Sequence, residues 1–583
     1  MHDQVRELAR LPLSLLTRLR SLVVGHEDLA GIVFWAALVG FSGALASVAF
    51  REGIRLLETL FTGESIGLVH AASDLLWWHR ALVPLVGAIL AGLVLYFAGR
   101  RSQSRRPVDY MEAILVGDGR IELRGTLLSS ISSLLSIASG GSIGREGPMV
   151  QLAAMLGSKW GLFARAPIPR LRLMVACGGA AGIAAAYNAP ISGALFVSEI
   201  VLGSTAMESF GPLVVASVTS NATIHRVLGY GPVYDVPHLQ FASNWELVFY
   251  VVLGVILGHL APPFLALLDF AKAQFVRLRL PLYWQLALGG LIVGALSIFV
   301  PQVWGNGYSV VGSILLGQLV GLWLLAVLCA KVIATSATVG SGAVGGIFTP
   351  TLFIGCAVGA LVGEVLQRVL PAVTSAPSVY ALVGMGGFLA AITHAPLTSI
   401  LMLFEMTLDY DIVLPLMLAC VTAHYTAKVY RRGESVYSHI LRSRESSDDW
   451  RLRTVESLVK PVAVTVKAAD TVGALLERLP KRLINRVYVL EDEHVVAWLH
   501  PQDVLGQVEA GQLHRDTRVG EVAHPMVFAL TPDMSLGTAL EEFLREQATM
   551  LPVTSGQWGN KLLGEVSRHD VLLAIRDRLT LPQ

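Results

Sequence analysis

Charge-free apolar runs alternate with short polar stretches along the first 430 residues of the chain. Asp, Glu, Lys and Arg are absent from residues 29–50, 81–98, 280–330, 332–363 and 369–404. One pass through a bilayer takes roughly 20 apolar residues, so the longest runs predict more than one pass or a re-entrant piece. Backbone groups in hydrocarbon must pair within their own segment, which predicts helices. From Arg431 onward charge is frequent and the apolar runs shrink to five or six residues. The pattern therefore predicts an all-α polytopic membrane domain at residues 29–430, preceded by a cytoplasmic segment at 1–28. A polar linker at 431–454 and a small α/β tail follow it.

Both parts repeat internally. YNAPISGALFVSE at 187–199 matches THAPLTSILMLFE at 393–405, with Ala189, Pro190 and Glu199 answering Ala395, Pro396 and Glu405 at one offset of 206. Upstream, GGSIGREGPMV at 140–150 answers SGAVGGIFTPT at 341–351, with Gly144 on Gly346 and Pro148 on Pro350. Two halves interrupted alike by Gly and Pro predict a duplicated transporter fold whose broken helices meet at a midplane site. The orientation of one half relative to the other is not visible in the sequence. In the tail, two units, at 455–507 and 519–580, each read as short strand, helix, two strands, helix, with Asp503 answering Asp570.

Composition strengthens the membrane reading, because only 15% of residues are charged against about 25% in a soluble domain. A net charge of +1 selects no partner and offers no nucleic-acid surface. Cys177, Cys329, Cys356 and Cys420 stand alone in apolar stretches, as small buried hydrophobes do, and suggest neither disulfides nor a metal site. The first 24 residues mix Arg and Leu without a long apolar core, a cytoplasmic interfacial helix more than a signal peptide. Arg6, Arg10, Arg18 and Arg20, with Arg100, Arg101, Arg105 and Arg106, mark cytoplasmic segments.

Four Gly- or Pro-marked segments run straight into apolar helices: GGSIGREGP, YNAP, GSGAVGGIFTP and THAP. Helix N-termini attract anions through unpaired amides without a fixed full charge that would trap the ion. Glycine lets those amides approach closely, and proline fits the first turn. An ionisable residue buried in a membrane is functional by default; Glu146, inside the first of these segments, is one such candidate, with a salt bridge to Arg145 as its bland alternative. Glu199 and Glu405 read as helix-end residues at the cytoplasmic edge. Lys331 can snorkel, and His394 suits a helix cap better than a metal ligand. No nucleophile–base set and no metal-ligand spacing is present, so nothing points to an enzyme.

GREGP (Gly144 to Pro148) and GGIFTP (Gly345 to Pro350) look like two signature motifs of the CLC family of chloride channels and transporters. VYSHIL, carrying Tyr437, is similar to the family's third pore element. PVDYMEAI at 107–114, the stretch 286–309 and HAPLTSILMLFEMT at 394–407 resemble the bacterial subgroup called ClcB. The resemblance implies that Glu146 is the external gating glutamate and that a carboxylate there competes with chloride until protonation releases it. It places Gly144, Arg145 and Gly147 around the anion, the amides of Ile347 and Phe348 on the central ion, and the Tyr437 hydroxyl at the inner end. It also implies a homodimer in a bacterial inner membrane, with both termini cytoplasmic.

Two departures bear on mechanism. Where the family's first pore motif reads Gly-Ser-Gly-Ile-Pro, this chain has Ser104, Arg105, Arg106, Pro107 and Val108, with no serine cleanly in register and the arginines read as facing solvent. Where proton-coupled members place an internal glutamate, this chain has Ile200, and an aliphatic group carries no proton. That favours a passive channel over the proton–chloride antiporter. A cation transporter would need acidic residues along the path, and a nucleotide sensor with a mere anchor would need no gate. The tail resembles a tandem pair of CBS domains. Ser567 and Asp570 there match the pattern that holds the phosphate and ribose of an adenine nucleotide, whereas the first unit has His500 in place of Ser567. No cofactor is required by this reading.

Overall fold

The computed structural model describes residues 29–63, 67–101, 109–115, 117–202, 207–229, 231, 233–234, 243, 245–431, 454–462, 464–479, 486–492, 494–525, 528–546, 548–556 and 561–578. The chain forms two compact units, Met1–Ile440 and Leu441–Gln583.

In the first unit, the described residues are helical almost throughout. Its first half holds α1 (Leu29–Thr62), α2 (Leu68–Asp74), α3 (Trp77–Arg101), α4 (Tyr110–Leu115), α5 (Leu123–Ala138), α6 (Glu146–Phe163), α7 (Ile168–Tyr187), α8 (Pro190–Phe196) and α9 (Met207–Leu228). Its second half holds α10 (Glu246–Arg277), α11 (Leu282–Phe299), α12 (Tyr308–Leu315), α13 (Gly321–Gly340), α14 (Phe348–Val369), α15 (Pro377–Thr393), α16 (Pro396–Thr407) and α17 (Val413–Arg431). Among the described residues, seven helices are long and apolar enough to cross a bilayer. The charge-free run at 280–330 does hold more than one element: α11, a short turn, α12 and the start of α13.

The repeat breaks its helices in the same way twice. α7 ends at Asn188 and α15 at His394, both left-handed with φ of 55° and 58°. Ala189 and Ala395 then run at φ of −129° and −121°, and Pro190 and Pro396 open α8 and α16. A left-handed C-cap ends a helix, and a proline, whose missing N–H costs nothing in a first turn, begins the next. Inside the bundle, small residues let backbones touch, since lipid offers helices no hydrophobic reason to associate. A methyl group on Gly355 would sit 2.3 Å from the Gly384 carbonyl oxygen, and one on Gly384 would sit 2.2 Å from that of Gly355. The outer faces stay apolar: Phe299 and Leu322 are 78% and 84% exposed, as suits hydrocarbon rather than water.

The second unit is α/β. Its first repeat carries β1 (Thr465–Lys467), α18 (Val472–Arg478), β2 (Val487–Glu491), β3 (His494–Leu499) and α19 (Pro501–Glu509), in the predicted order. The second carries α20 (Val519–Val522), β4 (His524–Pro525), α21 (Leu536–Arg545), β5 (Met550–Thr554), β6 (Leu562–Ser567) and α22 (Arg568–Arg578). The sheet order β1-β2-β3-β4 puts a strand of the second repeat on the edge of the first, while β5 and β6 pair with each other. The exchange runs both ways. Val455 lies in the apolar core of the second repeat, and Lys460 exchanges backbone hydrogen bonds with Glu565 of β6.

Candidate functional site

The two glycine loops of the repeat meet face to face. Gly144 N–H donates to the Gly346 carbonyl at 2.7 Å, and Gly346 N–H donates back at 2.9 Å, an isolated antiparallel bridge. This pairing brings the N-terminus of α6 against that of α14, with Arg145 and Ile347 as the two N-cap residues. Glu146, the first residue of α6, is 4% exposed. Its carboxylate lies across the start of α14, where one oxygen accepts from Thr349 N–H at 3.1 Å and the other from the Thr349 hydroxyl at 2.9 Å. A Cβ on Gly144 or Gly346 would come within 2.1 and 2.4 Å of a Glu146 carboxylate oxygen. The seat exists because both positions lack a side chain.

Aromatic rings close the seat. Tyr187, the last residue of α7, places its ring 5.0 Å from that of Phe348 and its hydroxyl 3.3 Å from the Thr349 hydroxyl. Phe196 packs edge-on against Phe348 at 6.0 Å. Arg145 sets its guanidinium over the Tyr308 ring, 5.1 Å from the centroid, and Tyr308 stacks on Tyr234. Among the described residues no ion pair joins Arg145 to Glu146, so the bland alternative does not describe this geometry. Gly147 lies against the second loop, where a Cβ would come 3.1 Å from the Gly346 nitrogen.

Thr349 and Tyr187 join the site beyond the residues expected from the sequence. Their sequence signal is a hydroxyl in the first turn of a motif helix and another just before the broken-helix Asn188, beside backbone amides that no side chain marks. Tyr437 and the stretch from Ser104 to Val108 lie outside the described residues.

A second pair of carboxylates does structural work. Glu199 accepts from Leu397 N–H at 3.3 Å, Thr398 N–H at 2.8 Å and the Thr398 hydroxyl at 2.6 Å. Glu405 accepts from Ile191 and Ser192 N–H, both at 2.8 Å, and from the Ser192 hydroxyl at 2.5 Å. Both are helix-end residues, as expected, but each caps a helix of the other half. Reciprocal contacts of this kind require a local twofold and antiparallel α8 and α16, the arrangement of an inverted repeat. Ile200 sits beside Glu199 in a π-helical turn, Val197–Leu202, its side chain packed on the apolar core.

Lys331 corrects an expectation. Rather than snorkel, it is fully buried and donates to the carbonyls of Val303 at 2.9 Å and Gly305 at 2.6 Å. The 3₁₀ turn Pro301–Val303 brings these oxygens to it, so reaching water is unnecessary. His394 is the C-cap of α15, in keeping with a cap. Among the described residues no group of three or more His, Cys, Asp or Glu could hold a metal.

In the tail, Ser567 and Asp570 come together at the start of α22. The Ser567 hydroxyl donates to the Asp570 carboxylate at 2.7 Å and accepts from the Asp570 N–H at 2.9 Å. Lys460 Nζ donates to both Asp570 oxygens at 2.8 Å. Burial raises the Asp570 carboxyl, but the bonds from Lys460 and Ser567 outweigh it, leaving it below the usual range. His500 is the N-cap of α19.

A family model described as voltage gated chloride channel matches residues 86–428, and one described as CBS domain matches 519–577. A ClcB-like chloride channel protein from Ralstonia nicotianae is 52% identical over 426 residues, which are 72% of this chain and 99% of that protein. The crystal structure of a slow cyanobacterial Cl−/H+ antiporter is similar at TM-score 0.64 and 25% identity, over 72% of this chain and 99% of that one. A eukaryotic CLC transporter shares the fold over 92% of this chain and 97% of its own, with TM-score 0.63 at 18% identity.

Proposed function

The chain belongs to the CLC family of chloride channels and transporters, a multi-pass membrane protein with a CBS-type tail, and on that footing we propose that it passes chloride through a channel that Glu146 closes. The observation behind this reading is the Glu146 carboxylate seated on the N-terminus of α14. A carboxylate is an anion on a tether, and donors that satisfy it also suit a dehydrated halide. While charged, Glu146 occupies the seat. Once protonated, it loses its advantage over chloride and the seat is free to conduct. In this proposal Ile347 and Phe348 supply amides at the opening of α14, Gly144, Arg145 and Gly147 line the α6 side, and Tyr437 serves the inner end.

The passive mode rests on Ile200, whose side chain packs on the apolar core beside a Glu199 engaged by α16. Proton-coupled exchange is the second reading, favoured by the similarity to the cyanobacterial Cl−/H+ antiporter. Chloride flux from liposomes, with and without a pH gradient, separates them: a channel reverses at the chloride equilibrium potential whatever the pH gradient, whereas in an antiporter the reversal shifts with that gradient and chloride efflux drives proton uptake. Glu146→Ala abolishes the pH dependence of flux in the proposed mechanism, and a variant that keeps it refutes the gate. An adenine nucleotide at Ser567 and Asp570 as modulator, a homodimer with one path per subunit and an inner-membrane location with cytoplasmic termini complete the proposal. These rest on the family resemblance.

A further inference from the structure

We propose that the Thr349 hydroxyl, backed by Tyr187, is the latch that keeps the Glu146 carboxylate seated, so that this pair sets the pH at which the path opens. The inference rests on the gate reading above and concerns what holds the gate shut. Any residue at position 349 other than proline offers a backbone N–H; the hydroxyl depends on this chain's threonine. Together the two donors grip both carboxylate oxygens from one residue, at 3.1 and 2.9 Å.

A threonine hydroxyl has one proton to give. Since it donates that proton to Glu146, it receives from Tyr187, 3.3 Å away. The direction of the chain is therefore set: Tyr187 O–H to Thr349 O–H to the carboxylate. Each bond polarises the next and strengthens it in a site of low dielectric. The three residues are buried, at 0%, 1% and 4% exposure in that order, and come from α7, α14 and α6. Thr349 and Tyr187 are thus positioning residues, acting on the anion path through Glu146.

The groups facing the carboxylate, among the described residues, are Arg145 from its own turn, Tyr187 from α7 and Tyr308 from α12, with Arg51 of α1 beyond Arg145. Phenols and guanidinium groups ordinarily titrate at about pH 10 and above. None of these neighbours changes charge between pH 4 and 8, so the part of the flux profile that Glu146→Ala removes reports Glu146.

The test is chloride efflux from liposomes carrying the full-length protein, measured across that pH range. Thr349→Val keeps the shape and removes the hydroxyl, so the charged carboxylate is held less firmly and protonation wins earlier. The midpoint of activation is expected to move to higher pH by about one unit, the worth of a hydrogen bond to a charged group. Thr349→Ser restores the wild-type midpoint, and Tyr187→Phe moves it the same way by less. Should Thr349→Val fail to assemble, Tyr187→Phe decides: a midpoint moved to higher pH supports the latch and a wild-type midpoint overturns it. A wild-type midpoint in Thr349→Val beside a flat Glu146→Ala profile overturns the latch alone, as does a serine variant that behaves like the valine one. A Glu146→Ala profile that still follows pH overturns the gate and the latch with it.

Discussion

Glu199 and Glu405 each bind the start of the helix that the other one ends, across the local twofold between the two halves. A proline-opened helix has orphan N–H groups that its own short first turn cannot satisfy, and in a membrane no water compensates. The swapped carboxylates satisfy them and complement the helix dipoles.

Glu405→Ala therefore leaves Ile191 N–H and the Ser192 N–H and hydroxyl without this acceptor, at 7% exposure of the lost side chain. The expected loss is about 1–3 kcal/mol, read as a lower unfolding temperature of the protein in detergent. Glu405→Gln, which keeps an acceptor oxygen, recovers part of it. Glu199→Ala costs less, because Leu397 at its cap is 55% exposed. Equal unfolding temperatures for Glu405→Ala and wild type would show that the swapped cap adds nothing.

Gly144→Ala tests the seat from the other side. The new methyl would sit 2.1 and 2.2 Å from the two Glu146 oxygens, which no real contact tolerates. The carboxylate is the end of a flexible side chain and gives way sooner than the paired backbone beneath it. The fold is expected to survive while the pH dependence of chloride flux flattens toward that of Glu146→Ala. A variant with an unshifted, full-amplitude pH profile would place the carboxylate elsewhere in the working protein.

The duplication was legible because Gly and Pro interrupt both halves in step, and the structure repeats even the backbone angles at Asn188 and His394. Inversion was not, since matched letters look alike whichever way a half points. Nor were the swapped caps: a carboxylate that caps a helix about 200 residues away, as Glu199 does Thr398, leaves no local spacing to read. Lys331 differs from its expected place for a related reason. Its length suggested an escape to the interface, whereas the carbonyls that hold it come from a turn 26 and 28 residues upstream. Thr349 stands in a motif whose glycines point to backbone amides, which hides the part its hydroxyl plays.

Lys331→Glu should be among the most damaging single changes in the membrane unit. Val303 and Gly305 present carbonyl oxygens at 2.9 and 2.6 Å, so a carboxylate there would meet two acceptors where the ammonium met partners. Removing the donor from a buried polar set costs about 1–3 kcal/mol, and an uncompensated buried charge raises this to about 3–5 kcal/mol. The measurable outcome is loss of the monodisperse protein on extraction, with Lys331→Met intermediate because it removes the donor without adding a charge. Monodisperse Lys331→Glu at wild-type yield would contradict the assignment.

Asp570 makes the tail acid-sensitive in a defined direction. Burial raises its carboxyl, but Lys460 and Ser567 together outweigh that and hold it below the usual range. A carboxyl depressed in the folded state contributes stability above its unfolded value, near pH 4, and loses that contribution as pH falls through the lower native value. Lys460 is largely exposed, so the effect is modest and weakens with salt. Hydrogen exchange on the full-length protein, corrected for the intrinsic rate, should show protection of the Asp570 amide, bound to the Ser567 hydroxyl at 2.9 Å, falling below about pH 4. In Asp570→Asn the same amide should be less protected at neutral pH and indifferent to acid. Protection that stays level to pH 3 in the wild type would detach Asp570 from the stability of this unit.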